Sequence, residues 1–322
     1  MIYQICGFNY ICDRFIEKLS GYIVDEADKQ FPVVKVQFSN SLSFDIPDKI
    51  EMINHLGYSA HSNNQSFYRF SDGSSILFSP DEVVFCGECF DDDRIANELS
   101  RADIVVLARY HKRAVLHGSA FMYRGKAYLI CAPSGAGKST LSSALVNNYD
   151  DISFLSDDIL CIREDGHALY KGLPSVSLNS DSLNGVFKTP SVTKIASTKS
   201  NIYKKTLFFS DANNHMDNQI VEIGGVFFLQ EPSRDNLLYI EELNSLSFLC
   251  EAVKNIKHKP AMINQLLLQE MQILNNLAKS TFAVKLRIKH DYSVLHEITS
   301  NIIEYIDKRR LQQEGGGVVN ET

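Results

Sequence analysis

The chain has 322 residues, of which 44% are hydrophobic and 22% charged, with a formal net charge of −7. That length allows one large domain or a core with a smaller companion, and that composition excludes wholesale disorder. No apolar run approaches the roughly 18–20 residues of a bilayer span, and the acidic balance disfavours a general nucleic-acid binder, so neither a membrane nor a nucleic acid is expected as a partner.

Residues 1–90 read mostly as strand and form an expected β-rich N-terminal domain. The opening MIYQICGFNYIC has no basic start and no long apolar stretch, so no secretory signal is read there. The cysteines at 6, 12, 86, 89, 131, 161 and 250 are then expected as reduced intracellular thiols in a cytoplasmic protein. Cys86 and Cys89 make one CxxC, but no second pair at zinc spacing follows, so it reads as a strand end and its turn. Phe31–Phe38 is a Val-rich strand, and a short helix is expected near Asp48–Leu56. Ser66–Ser79 is two apolar runs around Asp72-Gly73, a hairpin signal because Asp-Gly supplies positive φ.

From Asp92 to about Lys112, Ile95, Leu99, Ala102 and Val106 fall at helical spacing, with an acidic start and a basic end that suit the helix dipole. A boundary is placed near residue 90, and 91–311 is read as the main core. Val115–Tyr123 and Ala127–Cys131 are strands, and the second runs into Ala132-Pro133-Ser134-Gly135-Ala136-Gly137-Lys138-Ser139-Thr140 before a helix to about Val146. Ser153–Leu155 is a strand ending at Ser156-Asp157-Asp158; Ile159–Arg163 and Ala168–Lys171 form a hairpin. Residues 172–206, rich in Ser, Thr, Lys, Gly and Pro, read as loop. Within them Lys188, Lys194, Lys199, Lys204 and Lys205 occur with no acid between, a pattern that suits a mobile lid over an anionic ligand. Ile223–Gln230 is a buried strand; Leu243–Val253, Ala261–Ala278 and Tyr292–Arg310 are helices; 312–322 is a flexible tail.

The chemistry concentrates at 132–140. A strand, a Gly-rich turn and a helix opening with Lys-Ser-Thr is the arrangement of a phosphate-binding Walker A loop. Gly135 and Gly137 let the backbone N–H groups of Ser134–Thr140 curl around phosphate oxygens, and the helix N-terminus adds partial positive charge. Lys138 reaches the β- and γ-phosphates, and Ser139 offers a hydroxyl to Mg²⁺. Ala132 stands where the first Gly of GxxxxGK[ST] is expected. Asp157 and Asp158, at a strand's C-terminal edge, can reach the same crevice; one can hold Mg²⁺ and the other accept a hydroxyl proton. His117, in the strand before the loop, is a third candidate.

Together LHGSA, LICAPSGAGKSTL and FLSDD, in that order, resemble the kinase core of HPr kinase/phosphorylase and its kinase-like relatives, whose P-loop fold is shared with phosphoenolpyruvate carboxykinase. The resemblance covers about residues 110–255. It implies an α/β (α+β) fold and an ATP- and Mg²⁺-dependent kinase that phosphorylates a Ser-type hydroxyl. It implies Asp157 as catalytic base, Asp158 as the acid near the metal, His117 as the active-site histidine, and Lys138 and Ser139 as the phosphate and Mg²⁺ groups. The Gly- and Arg-rich stretch of HPr kinases proper is absent, so the comparison points to relatives that modify a peptide, protein or small molecule. Homo-oligomeric assembly is a property of HPr kinases. The competing expectation is a catalytically silent ATP-binding regulatory or interaction protein. No LSGGQ-like or NKxD-like motif supports a transporter ATPase or a GTPase.

Overall fold

The computed structural model describes residues 1–40, 50–54, 57–61, 65–187, 195–200, 205–209, 219–233, 236–257 and 264–315. It is a mixed α+β structure.

The first ninety residues build one nine-stranded sheet whose last strand is Glu82–Cys86. In Val33–Ser39 the exposed Val33 and Lys35 alternate with the buried Val34 and Val36, as a half-buried strand requires. Ser66–Phe70 and Ser75–Ser79 pair antiparallel, and Gly73 takes φ +85° in the turn between them. The helix expected near Asp48–Leu56 is not formed. Ile50–Asn54 is an edge strand instead, because its backbone pairs with Gly57–His61 and sheet hydrogen bonding overrides a weak local preference.

The helical stretch after residue 91 is two helices, Asp92–Asn97 and Asp103–Tyr110, with a π turn at Glu98–Ala102 between them. The Asp91 side chain caps the first by accepting the Arg94 N–H. Ile95, Leu99 and Val106 are fully buried and pack into the same core as Tyr3, Phe8 and Tyr10 of the first sheet.

The second sheet carries the site. Lys126–Cys131, Ile220–Leu229 and Phe282–Ile288 run parallel, side by side. Gly118–Tyr123 lies antiparallel to Lys126–Cys131 and to Ile152–Asp157, so Ile152–Asp157 points the same way as the three parallel strands. Cys131, Asp157, Leu229 and Ile288 therefore end at one edge. The long strand Ile220–Leu229 also pairs with Ala168–Tyr170, and through the hairpin Leu160–Ile162/Ala168–Tyr170 it reaches Ala114–Leu116. Helices cover both faces. Leu141 and Leu145 of Lys138–Asn148 and Ile298, Ile302 and Ile306 of Leu295–Gly315 share one core with Phe121 and Phe227. Phe248 of Ser245–Lys254 and Leu274 and Leu277 of Asn264–Ser280 share another with Leu129 and Phe228.

Residues 172–206 are not one loop. Ser175–Leu178, Ile195–Ser200 and Lys205–Phe209 form a three-stranded antiparallel sheet, and Ser180–Val186 is a helix capped by Asn179. Burial of Val176, Leu178, Leu207 and Phe209 under the second sheet outweighs the polar composition. Of the five lysines on which the lid expectation rests, Lys188, Lys194 and Lys204 lie outside the described residues, and Lys199 and Lys205 fall in the strands Ile195–Ser200 and Lys205–Phe209. The final helix runs to Gly315, past the start of the expected tail, and 316–322 lie outside the described residues. Two strands of the second sheet, Leu238–Glu242 and Phe282–Ile288, were not expected. No helix among the described residues is long and apolar enough to cross a membrane.

Candidate functional site

The loop after Cys131 is turned by Gly135 at φ +84° and Gly137 at φ +95°. A Cβ at either glycine would meet nothing within 4 Å, so the demand for glycine here is torsional rather than steric. Gly137 is the N-cap of Lys138–Asn148 and supplies no side-chain cap. The first-turn N–H groups of that helix are thereby left for a ligand. Pro133, Ser134 and Gly135 are exposed at the surface of the turn.

Lys138 is buried, and its Nζ donates to Ala132 O at 2.9 Å and Pro133 O at 3.0 Å. Burial pushes its pKa below the ordinary lysine value, against the pull of Asp157 and Asp158. Ser139 Oγ donates to both oxygens of Asp157, at 2.9 and 3.1 Å. Thr140 turns away: its Oγ1 donates to Ser182 Oγ at 3.1 Å, and Ser182 is in turn bonded to the Tyr292 hydroxyl. Beneath the helix start, Ser119 Oγ donates to Ser142 Oγ at 2.6 Å, tying the helix to the neighbouring strand.

Asp158 stands one residue beyond the strand in a left-handed conformation, φ +71°. Its Oδ1 lies 3.1 Å from His117 Nε2 and 2.9 Å from Lys257 Nζ. Burial alone would raise the Asp158 pKa, but the hydrogen bonds and charges of His117 and Lys257 prevail and hold it far below the usual carboxylate range. The geometry departs from the expected division of roles in one respect. The carboxylate on Ser139 is Asp157, whereas Asp158, expected at the metal, is turned to His117 and Lys257.

Lys257 is the site residue that sequence reasoning missed. It follows the helix Ser245–Lys254, and its segment lies beside Ala114–Leu116. His117 N–H donates to Asn255 O at 2.6 Å, and Lys257 N–H donates to Val115 O at 2.9 Å. The only local signal is a basic residue just past a helix C-terminus, which is commonplace.

Beside the loop opens a cleft of about 890 Å³. Ser134 and Ala136 line it with Gln230, Tyr239, Glu251 and Arg287. Glu251 is buried and pairs with Lys254 at 2.9 Å and Lys285 at 3.5 Å. Burial would raise its pKa, but these lysines prevail and lower it. Among the described residues no group of three or more His, Cys, Asp and Glu side chains is placed to hold a metal. A hydroxyl next to one carboxylate, as at Ser139 and Asp157, instead suits an ion such as Mg²⁺, which takes one or two protein ligands and completes its shell with phosphate oxygens and water.

No family model matches the chain, and no curated protein matches it. Among solved structures, the chain is similar to the HPr(Ser) kinase/phosphatase from Coxiella burnetii, with 13% sequence identity and a TM-score of 0.33 over 64% of this chain and 99% of that one.

Proposed function

We propose that the chain is an ATP-dependent phosphotransferase that moves the γ-phosphate to a hydroxyl of a peptide, protein or small-molecule acceptor. The observation that carries the reading is the meeting, at one sheet edge, of a glycine-turned loop opening a helix with Lys138-Ser139 and a carboxylate 2.9 Å from the Ser139 hydroxyl. The loop's residues Pro133–Ala136 line the cleft, and Ser139 after them meets Asp157. A nucleoside triphosphate laid along it has its nucleoside in the cleft, near Tyr239, and its γ-phosphate toward Asp157 and Asp158.

Ser139 and Asp157 would hold Mg²⁺, which, when bound, neutralises charge on the β- and γ-phosphates. Lys138 and the first-turn N–H groups of its helix bind the phosphates and stay in place through transfer. The acceptor's proton goes to His117. A carboxylate held as far below its ordinary range as Asp158 is a weak base, whereas the His117 ring keeps a nitrogen that can accept the proton. With Nε2–H donated to Asp158, the other ring nitrogen, Nδ1, is the acceptor, and Asp158 fixes that tautomer. In this reading Asp157, expected from sequence as the base, is the Mg²⁺ ligand, and Asp158, expected at the metal, orients His117.

The test is equilibrium binding of Mg·ATP to the full chain, together with phosphate transfer to a library of hydroxyl-bearing peptides and metabolites followed by mass spectrometry. Lys138→Ala should lower ATP affinity at least tenfold, since a charge-assisted contact contributes about 1.5–3 kcal/mol. ATP affinity unchanged in Lys138→Ala would overturn the site. Tight ATP binding with no transfer to any acceptor and no ADP formation would favour a silent nucleotide-binding protein.

A further inference from the structure

We propose that Lys257 is a second catalytic lysine of this site, one that engages the terminal phosphate of the donor while Lys138 serves the phosphate chain as a whole. The inference rests on the phosphotransfer reading above and adds to it a residue that no motif contains.

Lys257 is placed on both sides of its Cα. Its N–H is held by Val115 O at 2.9 Å. Its carbonyl accepts from Arg109 Nη2 at 2.8 Å. Arg109 is itself almost fully buried and pairs with the equally buried Glu270 at 3.3 Å. A solvated surface lysine needs no such anchoring. From this fixed backbone the side chain crosses 99 residues of sequence separation to reach Asp158 Oδ1 at 2.9 Å. About 30% of the side chain remains exposed, so a ligand can reach it.

The location selects the terminal phosphate. Asp158 adjoins Asp157, which is bonded to Ser139 at the helix end of the loop, whereas the loop's earlier residues Pro133–Ala136 line the cleft. With the nucleoside in the cleft and the phosphates following the loop toward Ser139, the last phosphate is the one that arrives beside Asp157, Asp158 and Lys257. An ammonium group has three donors and Asp158 uses one, so Lys257 can donate to a phosphate oxygen without leaving its carboxylate. Asp158 holds the flexible stem in position beforehand, which reduces the rotamer entropy lost on binding. In the transfer, the bond from the terminal phosphorus to the bridging oxygen breaks and its electrons leave with ADP. A bond to the acceptor oxygen forms, and the acceptor's proton passes to His117. Lys257 and Lys138 then face the equatorial oxygens of the moving group from two sides, where charge stabilisation is most effective.

The experiment compares the binding of Mg·ATP and Mg·ADP to the full chain and to Lys257→Met, Lys257→Arg and Lys138→Met. Lys257→Met should leave ADP affinity within about twofold and weaken ATP about tenfold or more, the loss of one charge-assisted contact. Lys257→Arg keeps a cation and should recover much of that loss, whereas Lys138→Met should weaken both nucleotides. Equal effects of Lys257→Met on ATP and ADP, or no effect on either, would overturn the proposal. If the parent chain binds neither nucleotide, the phosphotransfer reading falls and takes this inference with it, a result distinct from a parent that binds both and a variant that does not discriminate. Should Lys257→Met not fold, acetic anhydride labelling of the parent decides. ATP should slow acylation of Lys257 several-fold more than ADP does, and equal labelling with the two would overturn the role.

Discussion

At Asp158 a non-glycine residue holds φ +71° while its carboxylate meets two cationic partners. Aspartate is among the few side chains that visit this region, at a cost of about 1–2 kcal/mol. Strain of this kind persists where surrounding contacts determine it, and it gathers at functional sites. Asp158→Gly should therefore relieve the backbone yet abolish transfer, a separation read by measuring unfolding and ADP formation on one sample. The linkage has a definite sign. The folded pKa lies below the unfolded value, so the stability Asp158 contributes is present above about pH 4 and is lost as pH falls further. The melting-temperature gap between the parent and Asp158→Asn should close on acidification below pH 4; a gap constant from pH 7 to pH 3 would show that the ion pairs stabilise nothing. The neighbouring residues separate by metal dependence. Asp157→Asn should raise the Mg²⁺ concentration needed for half-maximal rate. His117→Asn should leave that requirement unchanged and lower turnover about 10²–10⁴-fold, the usual general-base contribution.

At the scale of elements, what was legible depended on whether the determinant is local. The stretch Lys126–Asn148 could be read because an apolar run, two glycines and a helix start follow each other in sequence, and the hairpin at Ser66–Ser79 because its turn needs only Asp72-Gly73. The strands within 172–206 could not. Their Ser and Thr content matches that of a loop, and they are strands because Val176, Leu207 and Phe209 find a core elsewhere. The site divides in the same way. Ser139, Asp157 and His117 announce themselves by motif, whereas Lys257 and Arg109 become visible only when a strand and a helix terminus meet. The Arg109–Glu270 pair links the helices Asp103–Tyr110 and Asn264–Ser280 beneath that meeting point. Burial pushes the Glu270 carboxyl up, against the pull of Arg109. Arg109→Met leaves that carboxylate buried without its cation and the Lys257 carbonyl without its donor. Breaking one side of a buried pair costs about 3–5 kcal/mol, which should appear as a lower denaturant midpoint. A midpoint within experimental error of the parent's would mean the pair is dispensable.

Across the whole molecule, the first sheet and the site-bearing sheet meet in a shared core that holds a buried cation, Arg113. The expected boundary near residue 90 follows the last strand of the first sheet, yet Val115, Ile159, Cys161 and Tyr170 of the second region share a core with Tyr3, Ile5 and Phe8. Arg113 lies within that core with 1% of its side chain exposed. Its guanidinium sits 4.3 Å from the Phe8 ring centre and 4.0 Å from that of Tyr170. It also donates to Cys6 O at 3.1 Å, Gly7 O at 3.0 Å and Glu164 Oε1 at 3.1 Å. Only a planar fork can stack between two rings and still serve three acceptors at its edge, so lysine is no substitute. Arg113→Lys should leave at least one buried carbonyl unpaired and lose part of the stacking, a destabilisation of about 2–3 kcal/mol. The loop at Ser134–Thr140 is anchored separately, by the core of Lys138–Asn148 and Leu295–Gly315. Nucleotide affinity at 25 °C should thus stay near the parent value while the unfolding midpoint falls. Loss of both together would show that the first sheet shapes the site directly, and loss of neither would show that the two regions are held by apolar packing alone.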